Sequence, residues 1–512
     1  VTLSLLKNDE FRSPKAVVDF FRSEVTKNET PDQAGLEEEI IVLDHEGKAI
    51  SHERFQEFLW DLISALPQGL AIAGTHIDGS TIPVLMGTFS DGSIQPETNT
   101  SLVEFAHNPC DSAWGHFIQS RRFSKQLHAT AANHGLYVVG SGAVPTMSWG
   151  DFQRDDIIIP NSSFAYSVQH MRQGTRPEYC RTVYGTAGIH HNMGFNDPEL
   201  MAQYITTSLR MQPTMIALLG NSPFWDSAPA YNGGRPIVSY RSLAQINYGK
   251  IFGSGDGVSY LYPDFLIDQS ADFAAIINGY LDLPLDRTIV AGQKQPCPGL
   301  TMRHYLNGYA VDDRVHYPSV AALIMMIREP IVDVRPSFVG AASRVETRSH
   351  DCVSQHCAVA IDAFYRGILA NLDKARKLMA GMDGREIRRS RLVACEQGLA
   401  AAVRHRDPTI TTQQDLALRL LAIAEEGLSL RNRAEEPLLA PLFVLAESGF
   451  NPGQRLLFAY RHNNKAPLDL LQAMDYGQNR FADGQSYAWP DSPPRARRTI
   501  VPVSGRKVAC SL

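Results

Sequence analysis

The sequence predicts an α+β fold: a mainly antiparallel sheet flanked by helices through about residue 351, then a helical C-terminal portion. Three observations lead there. Residues 69–105 break into short β-like runs separated by Gly, Asp and Pro. Residues 356–435 carry strongly helical patterning. The regular β–α alternation of a doubly wound sheet is missing.

Taken in order, Ser13 and Pro14 suit the N-cap and N1 positions of a first helix through "KAVVDFFRSEV". "GLEEEIIVLD" (35–44) reads as a strand, with a turn at Gly47, and "HERFQEFLWDLISAL" spaces Phe55, Phe58, Leu59 and Leu62 as one helical face. Residues 112–135 read as a helix stopping at Gly135, and "LYVVGSGAVP" as a strand entering a loop. Residues 145–180 are loop-rich, and "RTVYGTAGIHHNMGF" reads as a strand. Asp197 and Pro198 open a helix expected to be interrupted near Pro213 and to end at Gly220. "NSPFWDSAPAYNGGRPIVSYRS" reads as a long irregular loop, a common home for substrate contacts. Thr412 and Asp415 form a capping-box pattern ahead of "LALRLLAIAEE". These divisions suggest a catalytic portion over 1–355, a helical portion packed on it over 356–483, and a loosely ordered Pro- and Arg-rich tail over 484–512.

Composition narrows the function classes. The 512 residues are 44% apolar and 20% charged, as in core-forming globular chains. With a net charge of −6 and interspersed signs, no region except the extreme C-terminus has the basic footprint of a nucleic-acid binder. Small molecules or other proteins are therefore the expected partners, and a monomer or homodimer the expected state. Seven cysteines without a CxxC pair read as reduced thiols, and the longest apolar run, "SVAALIMMI" (319–327), is too short to span a bilayer. A cytoplasmic protein is expected. No GxxxxGK[ST], HExxH or GxSxG motif is present, and "GSGDG" (253–257) reads as an ordinary turn.

What remains is acids on strand-like segments. In a strand, side chains i and i+2 share a face, so Glu37 and Glu39 point one way and Glu38 the other. Two neighbouring carboxylates on a half-buried face repel and resist desolvation unless a cation lies between them. From this stretch alone a solvated edge strand is the alternative. Further segments repeat the theme. Glu104 sits between Val103 and Phe105, with Glu97 seven residues earlier across a polar turn; Glu346 and Arg348 are i, i+2 in a β-like run; His190 and Asn192 share a strand face. Many oxygen ligands with at most one imidazole suit Mg²⁺ or Mn²⁺ rather than zinc. A multi-ion carboxylate site with nearby arginines fits phosphoryl transfer from a nucleotide without a P-loop.

These motifs resemble the glutamate–cysteine ligase superfamily, in its plant-like and bacterial branch. "GLEEE" is similar to the family's G-x-E-x-E strand, "SLVEF" to its metal-binding segment, and "GIHHNM" to its G-[IV]-H-x-N strand. "GNSPFWD" resembles the loop before the substrate arginine, "VSYRS" the arginine segment, and "RVETRSHD" the x-E-x-R-S-x-D strand; the order is the family's over residues 35–351. The resemblance implies a glutamine-synthetase-like curved sheet, a funnel holding ATP and two or more Mg²⁺ ions, with Mn²⁺ as a substitute. It assigns the ions to Glu37, Glu39, Glu97, Glu104, His190 and Glu346, with Glu346 and Arg348 catalytic. Arg348 would bind the transferred phosphate, Arg241 the amino-acid substrate, and Asn192 would be a polar contact beside His190. The implied reaction joins glutamate to cysteine through an acyl phosphate. A same-mechanism ligase for another carboxylate and amine, and a metal-dependent hydrolase, stay open as alternatives. One departure is His191, where the family pattern has an apolar or aromatic residue.

Overall fold

A nine-stranded sheet organises the chain. The computed structural model describes residues 10–74, 84–148, 150–159, 185–252, 256–311, 313–328, 330, 332–339, 342–463 and 467–477. The sheet's strands are β1 (Ala34–Leu43), β2 (Leu70–Gly74), β3 (Val84–Phe89), β4 (Gly92–Pro96), β5 (Leu102–His107), β6 (Tyr137–Val139), β7 (Gly188–Gly194), β8 (Val334–Val339) and β9 (Ala342–Asp351). Their spatial order is β8-β9-β7-β1-β5-β4-β3-β2, with β6 beside the end of β1. Every pairing is antiparallel. The helices that position the site are α1 (Pro14–Thr26), α2 (His52–Ala65), α3 (Ala113–Asn133), α4 (Pro198–Leu219), α5 (Tyr240–Phe252), α6 (Gln355–Ala370) and α7 (Gln413–Arg431). Among them α3 and α6 pack behind β1, β5 and β7, while α4 backs β8 and β9. The predicted α+β class, with its antiparallel sheet and C-terminal helices, is observed.

Local chemistry explains the boundaries. Ser13 caps α1 through its hydroxyl on Ala16 N (3.3 Å) with Pro14 at N1, and Ser112 caps α3 through Gly115 N (3.3 Å). The Thr412–Asp415 capping box at α7 is complete. In β1 the burial alternates over its first half and then becomes continuous, so Gly35, Glu37 and Glu39 are the reachable positions and Leu36, Glu38 and Ile40 are buried. Ile40–Leu43 then lie between layers on both sides, which is why the glutamates lead into an unbroken apolar run.

Two expectations are corrected. α4 runs without interruption through Pro213, because nearly its whole length is buried and tertiary packing outweighs one missing backbone bond. The 221–242 segment is also more regular than expected. It forms two small ladders, 224–225 with 228–229 and 231–232 with 235–236, and enters α5 at Tyr240, so Arg241 stands on a helix's first turn. Residues 181–184 of the predicted strand, Gly253–Gly255 of "GSGDG" and the tail 484–512 lie outside the described residues. Among the described residues no helix is long and apolar enough to cross a membrane.

Candidate metal and phosphoryl-transfer site

Cross-strand register gathers the acids. Glu37 stands opposite His190 on β7, Glu39 opposite Glu104 on β5, and Glu346 opposite both Asn192 on β7 and Arg335 on β8. Directly opposed residues share a face, so Glu37, Glu39, Glu104, His190, Asn192, Glu346 and Arg335 all project from one side of the sheet. Glu97 joins them from the β4–β5 connection, where its amide donates to Leu102 O (3.2 Å).

His190 is the centre of this face. Its Nδ1 lies 3.2 Å from Glu37 Oε2 and 3.8 Å from Glu346 Oε1, and its Nε2 lies 3.6 Å from Glu39 Oε1. One ligand atom from each of Glu37, His190 and Glu346 falls within 4.8 Å of the other two. Asn192 Nδ2 donates to Glu37 Oε1 (3.0 Å), the amide of Gly188 donates to Glu39, and Glu346 accepts from Arg335 Nε (2.8 Å) and from Arg348.

The electrostatics divide the acids. Burial raises the Glu346 carboxyl, but the Arg335 and Arg348 guanidiniums and the His190 imidazole outweigh it and hold it well below the usual range. Burial also works on Glu37, where the His190 hydrogen bond prevails and leaves the carboxyl lowered. At the β4–β5 end the balance reverses. Burial, the hydrogen bond with Glu104 and the charges of Glu104 and Glu39 push Glu97 well above the normal value, and burial raises Glu104 too. Two neighbouring carboxyls both raised by burial and by each other's charge mark a deficit of positive charge, which a divalent cation relieves. The donor set of carboxylate oxygens and one imidazole therefore fits such an ion.

Arg241 joins the site from the first turn of α5. It is 4% exposed, and its Nη1 donates to the carbonyl oxygens of Arg348 (2.9 Å) and His350 (3.1 Å). These carbonyls belong to a β-bulge where the β9–β7 register shifts between Thr347 and His350. Its Nη2 lies 3.3 Å from His190 Nε2. Gly188 leaves the room: a Cβ there would lie 2.4 Å from that same nitrogen. Arg241 thus braces the bulge and stands beside His190 on the cavity face of the sheet. Asp351 ties the remaining motifs together, accepting from Asn221 N (2.7 Å), Ser222 Oγ (2.7 Å) and Ser239 Oγ (3.0 Å).

A cavity of about 260 Å³ opens beside Glu37, lined by Gly35, Asn192, Gly194, Ser343 and Arg344 among others. Arg344 Nη2 is 4.0 Å from Glu37 Oε1. Sequence reasoning missed Arg335 and Arg344. Arg344 was findable, since it extends the i, i+2 series of Glu346 and Arg348. Arg335 was hidden by the following Pro336, which argues against a strand but is tolerated here because β8 is a sheet edge.

The family model described as Glutamate-cysteine ligase family 2 (GCS2) matches residues 33–473. A chloroplastic glutamate–cysteine ligase of Medicago truncatula is 24% identical over 385 residues, covering 73% of this chain and 68% of that protein. The chloroplastic enzyme of Nicotiana tabacum is 23% identical over 370 residues, covering 72% of this chain and 64% of its own length. Among solved structures, a bifunctional glutathione synthetase from Pasteurella multocida aligns with a TM-score of 0.46 at 13% identity, over 90% of this chain and 52% of that one. With the family match running from the first site strand to beyond α7, the chain belongs to glutamate–cysteine ligase family 2.

Proposed function

We propose that this ligase uses ATP and Mg²⁺ to join the γ-carboxylate of glutamate to the amine of cysteine through an acyl phosphate. One observation carries the reading: the convergence of Glu37, His190 and Glu346 on a common point, beside a cavity flanked by Arg344. In this reading Glu37, His190 and Glu346 hold one ion, and Glu39, Glu97 and Glu104 a second. When bound, the ions supply positive charge and a template for phosphoryl oxygens. The 260 Å³ cavity next to Glu37 would give room for part of the triphosphate.

The chain's own part is positioning and charge. Arg348, about a quarter exposed at its side chain, and Arg335 both pair with Glu346, where their guanidiniums would supply positive charge to the transferred phosphoryl oxygens. An oxygen of the glutamate γ-carboxylate attacks the terminal phosphorus, and the bond from that phosphorus to the ADP oxygen breaks. The amine nitrogen then attacks the acyl carbon, the C–O bond to phosphate breaks, and the ammonium proton passes to solvent. Asn192 fixes the orientation of Glu37, and Arg241 holds His190 and the bulge bearing Arg348 in register.

The test is ADP release from Mg²⁺, ATP and glutamate with a panel of amines. Release that depends on cysteine is expected. Release with other acceptors alone would point to the same mechanism on a different amine, and release indifferent to every amine would overturn the ligation reading. Cytoplasmic location and small-molecule substrates belong to the same proposal.

A further inference from the structure

The reverse side of the site strands carries a second set of ionisable groups with no access to solvent. Glu38, between Glu37 and Glu39, pairs with His107 Nε2, and both side chains are 0% exposed. His191, next to His190, meets Asp362 of α6: Nε2 to Oδ1 is 2.9 Å. The same carboxylate accepts from His116 Nδ1 of α3 (2.7 Å) and from Arg366 Nε (2.8 Å). Arg366 Nη2 continues to Cys110 O (2.9 Å), which also accepts from the amide of Ala34 at the start of β1 (2.9 Å). The His116 ring stands edge-on to His107 at 5.2 Å, closing the path back to Glu38.

This arrangement is costly as a stabilising device. Buried ion pairs lose several kcal/mol of solvation and are often no better than apolar residues of similar size. Around them the reverse side is mostly apolar, with Leu36, Ile40, Val103, Phe105, Ile189 and Val345 all buried beside the polar Thr347 and His350. The ionisable groups are concentrated directly behind Glu37, Glu39 and His190. An ionised Asp362 can only accept hydrogen bonds, so it fixes which nitrogen of His116 and of His191 carries the proton. Three donors from α3, α6 and β7 converge on it. A strand pinned through residue i on one face has its rotation, and so the aim of residue i−1 on the other face, set as well.

We propose that Asp362 is a positioning residue for the metal site, holding β7 through His191 and the start of β1 through Arg366 so that His190 and Glu37 meet at one point. The inference rests on the metal reading above and goes beyond it, since Asp362 faces away from the substrate side and follows every motif that matched the family.

The experiment titrates Mn²⁺ into the folded full chain and follows the free-ion EPR signal, which needs no turnover. Asp362→Asn should weaken Mn²⁺ binding about tenfold, in line with residues that orient metal ligands indirectly. His191→Leu should do the same, while His191→Gln, whose amide can still donate to Asp362, should restore most of the affinity. Phe364→Leu, a buried change on the same helix outside the network, should lower the melting temperature and leave Mn²⁺ affinity alone. Wild-type affinity in Asp362→Asn, equal weakening in Phe364→Leu, or no difference between the two His191 variants would each overturn the proposal. Should Asp362→Asn not fold, the His191 pair decides. Absence of Mn²⁺ binding in the wild-type chain would overturn the metal reading itself, whereas binding unaffected by these variants would overturn only the positioning role.

Discussion

The two faces of β1, β5 and β7 carry the same residue types under opposite conditions. On the cavity side, Glu37, Glu39, Glu97, Glu104 and Glu346 crowd together, and at the β4–β5 end Glu97 and Glu104 hydrogen-bond to each other with their carboxyls raised. On the reverse side, Glu38 and Asp362 meet imidazoles and a guanidinium, and Asp362 is held well below its usual range despite its burial because Arg366 and His116 oppose it. The comparison separates acids arranged to receive a cation from acids already paired with imidazoles and a guanidinium. A glutamate's position in the run "EEE" says nothing of this; its face does.

The largest expected effect falls on the cavity side. Glu104→Gln and Glu346→Gln should each reduce ADP release by about a thousandfold or more, the scale seen when a preorganised charge is lost, with the far-UV CD spectrum unchanged. Near-normal turnover in either variant would remove that residue from the metal site and erase the contrast between the faces there.

Next in size is a pH effect that belongs to the reverse side. Burial depresses His116 to about 4 and His350 to about 3, each from an ordinary 6.5. The unfolded chain takes up these protons below pH 6.5 while the folded chain does not. Their stabilising contribution is therefore complete above pH 6.5 and is lost as pH falls toward those values, at about 1.4 kcal/mol per pH unit per group. Urea midpoints measured between pH 7 and pH 5 should fall accordingly. His116→Asn, which keeps a donor toward Asp362 without titrating, should flatten the slope; an unchanged slope would contradict the burial of His116.

Glu38→Gln sharpens the comparison further. Strand alternation alone makes this the mild change of the three glutamates, because Glu38 faces away from the cavity. It does face away, yet its partner is His107 in a dry interior, so losing the charge-assisted bond should cost about 2 kcal/mol of stability. Turnover at low temperature should survive. A variant as stable as the parent would mean that the reverse side is less tightly paired than its geometry implies.

How much could be read beforehand follows from the range of the interactions. Period-two alternation is local, so the facing of Glu37, Glu38 and Glu39, and the sharing of a face by His190 and Asn192, were legible in the sequence. Capping is local too, and Ser13, Ser112 and the Thr412–Asp415 box set helix ends where the sequence suggested, or where it could have. The reverse-side network was not legible, because His116 and Asp362 are 246 residues apart and meet only once α3 and α6 pack on the sheet. The contact of Arg241 with the bulge in β9 was not legible either, because no spacing rule announces that bulge. Pro213 misled because helix propensity counts the lost bond and not the burial around it.

The smallest change tests whether helix packing in general, or Asp362 in particular, sets the cavity face. α7 packs on α6 so closely that a Cβ at Gly367 would lie 2.2 Å from Ala424 O, and one at Gly427 would lie 1.9 Å from Gly367 O. Loosening α7 therefore loosens the support of the helix that carries Asp362 without altering any group in the network. Thr412→Ala removes the hydroxyl of the capping box and should cost about 1 kcal/mol, read as a lower urea midpoint. If Asp362 acts through its three specific donors, Mn²⁺ affinity and turnover should stay at parental values in this variant while the midpoint drops. A parallel loss of Mn²⁺ affinity would make the whole helical layer the positioning element, with Asp362 only one of its contacts, and the distinction between the two faces would become one of packing instead of paired charge.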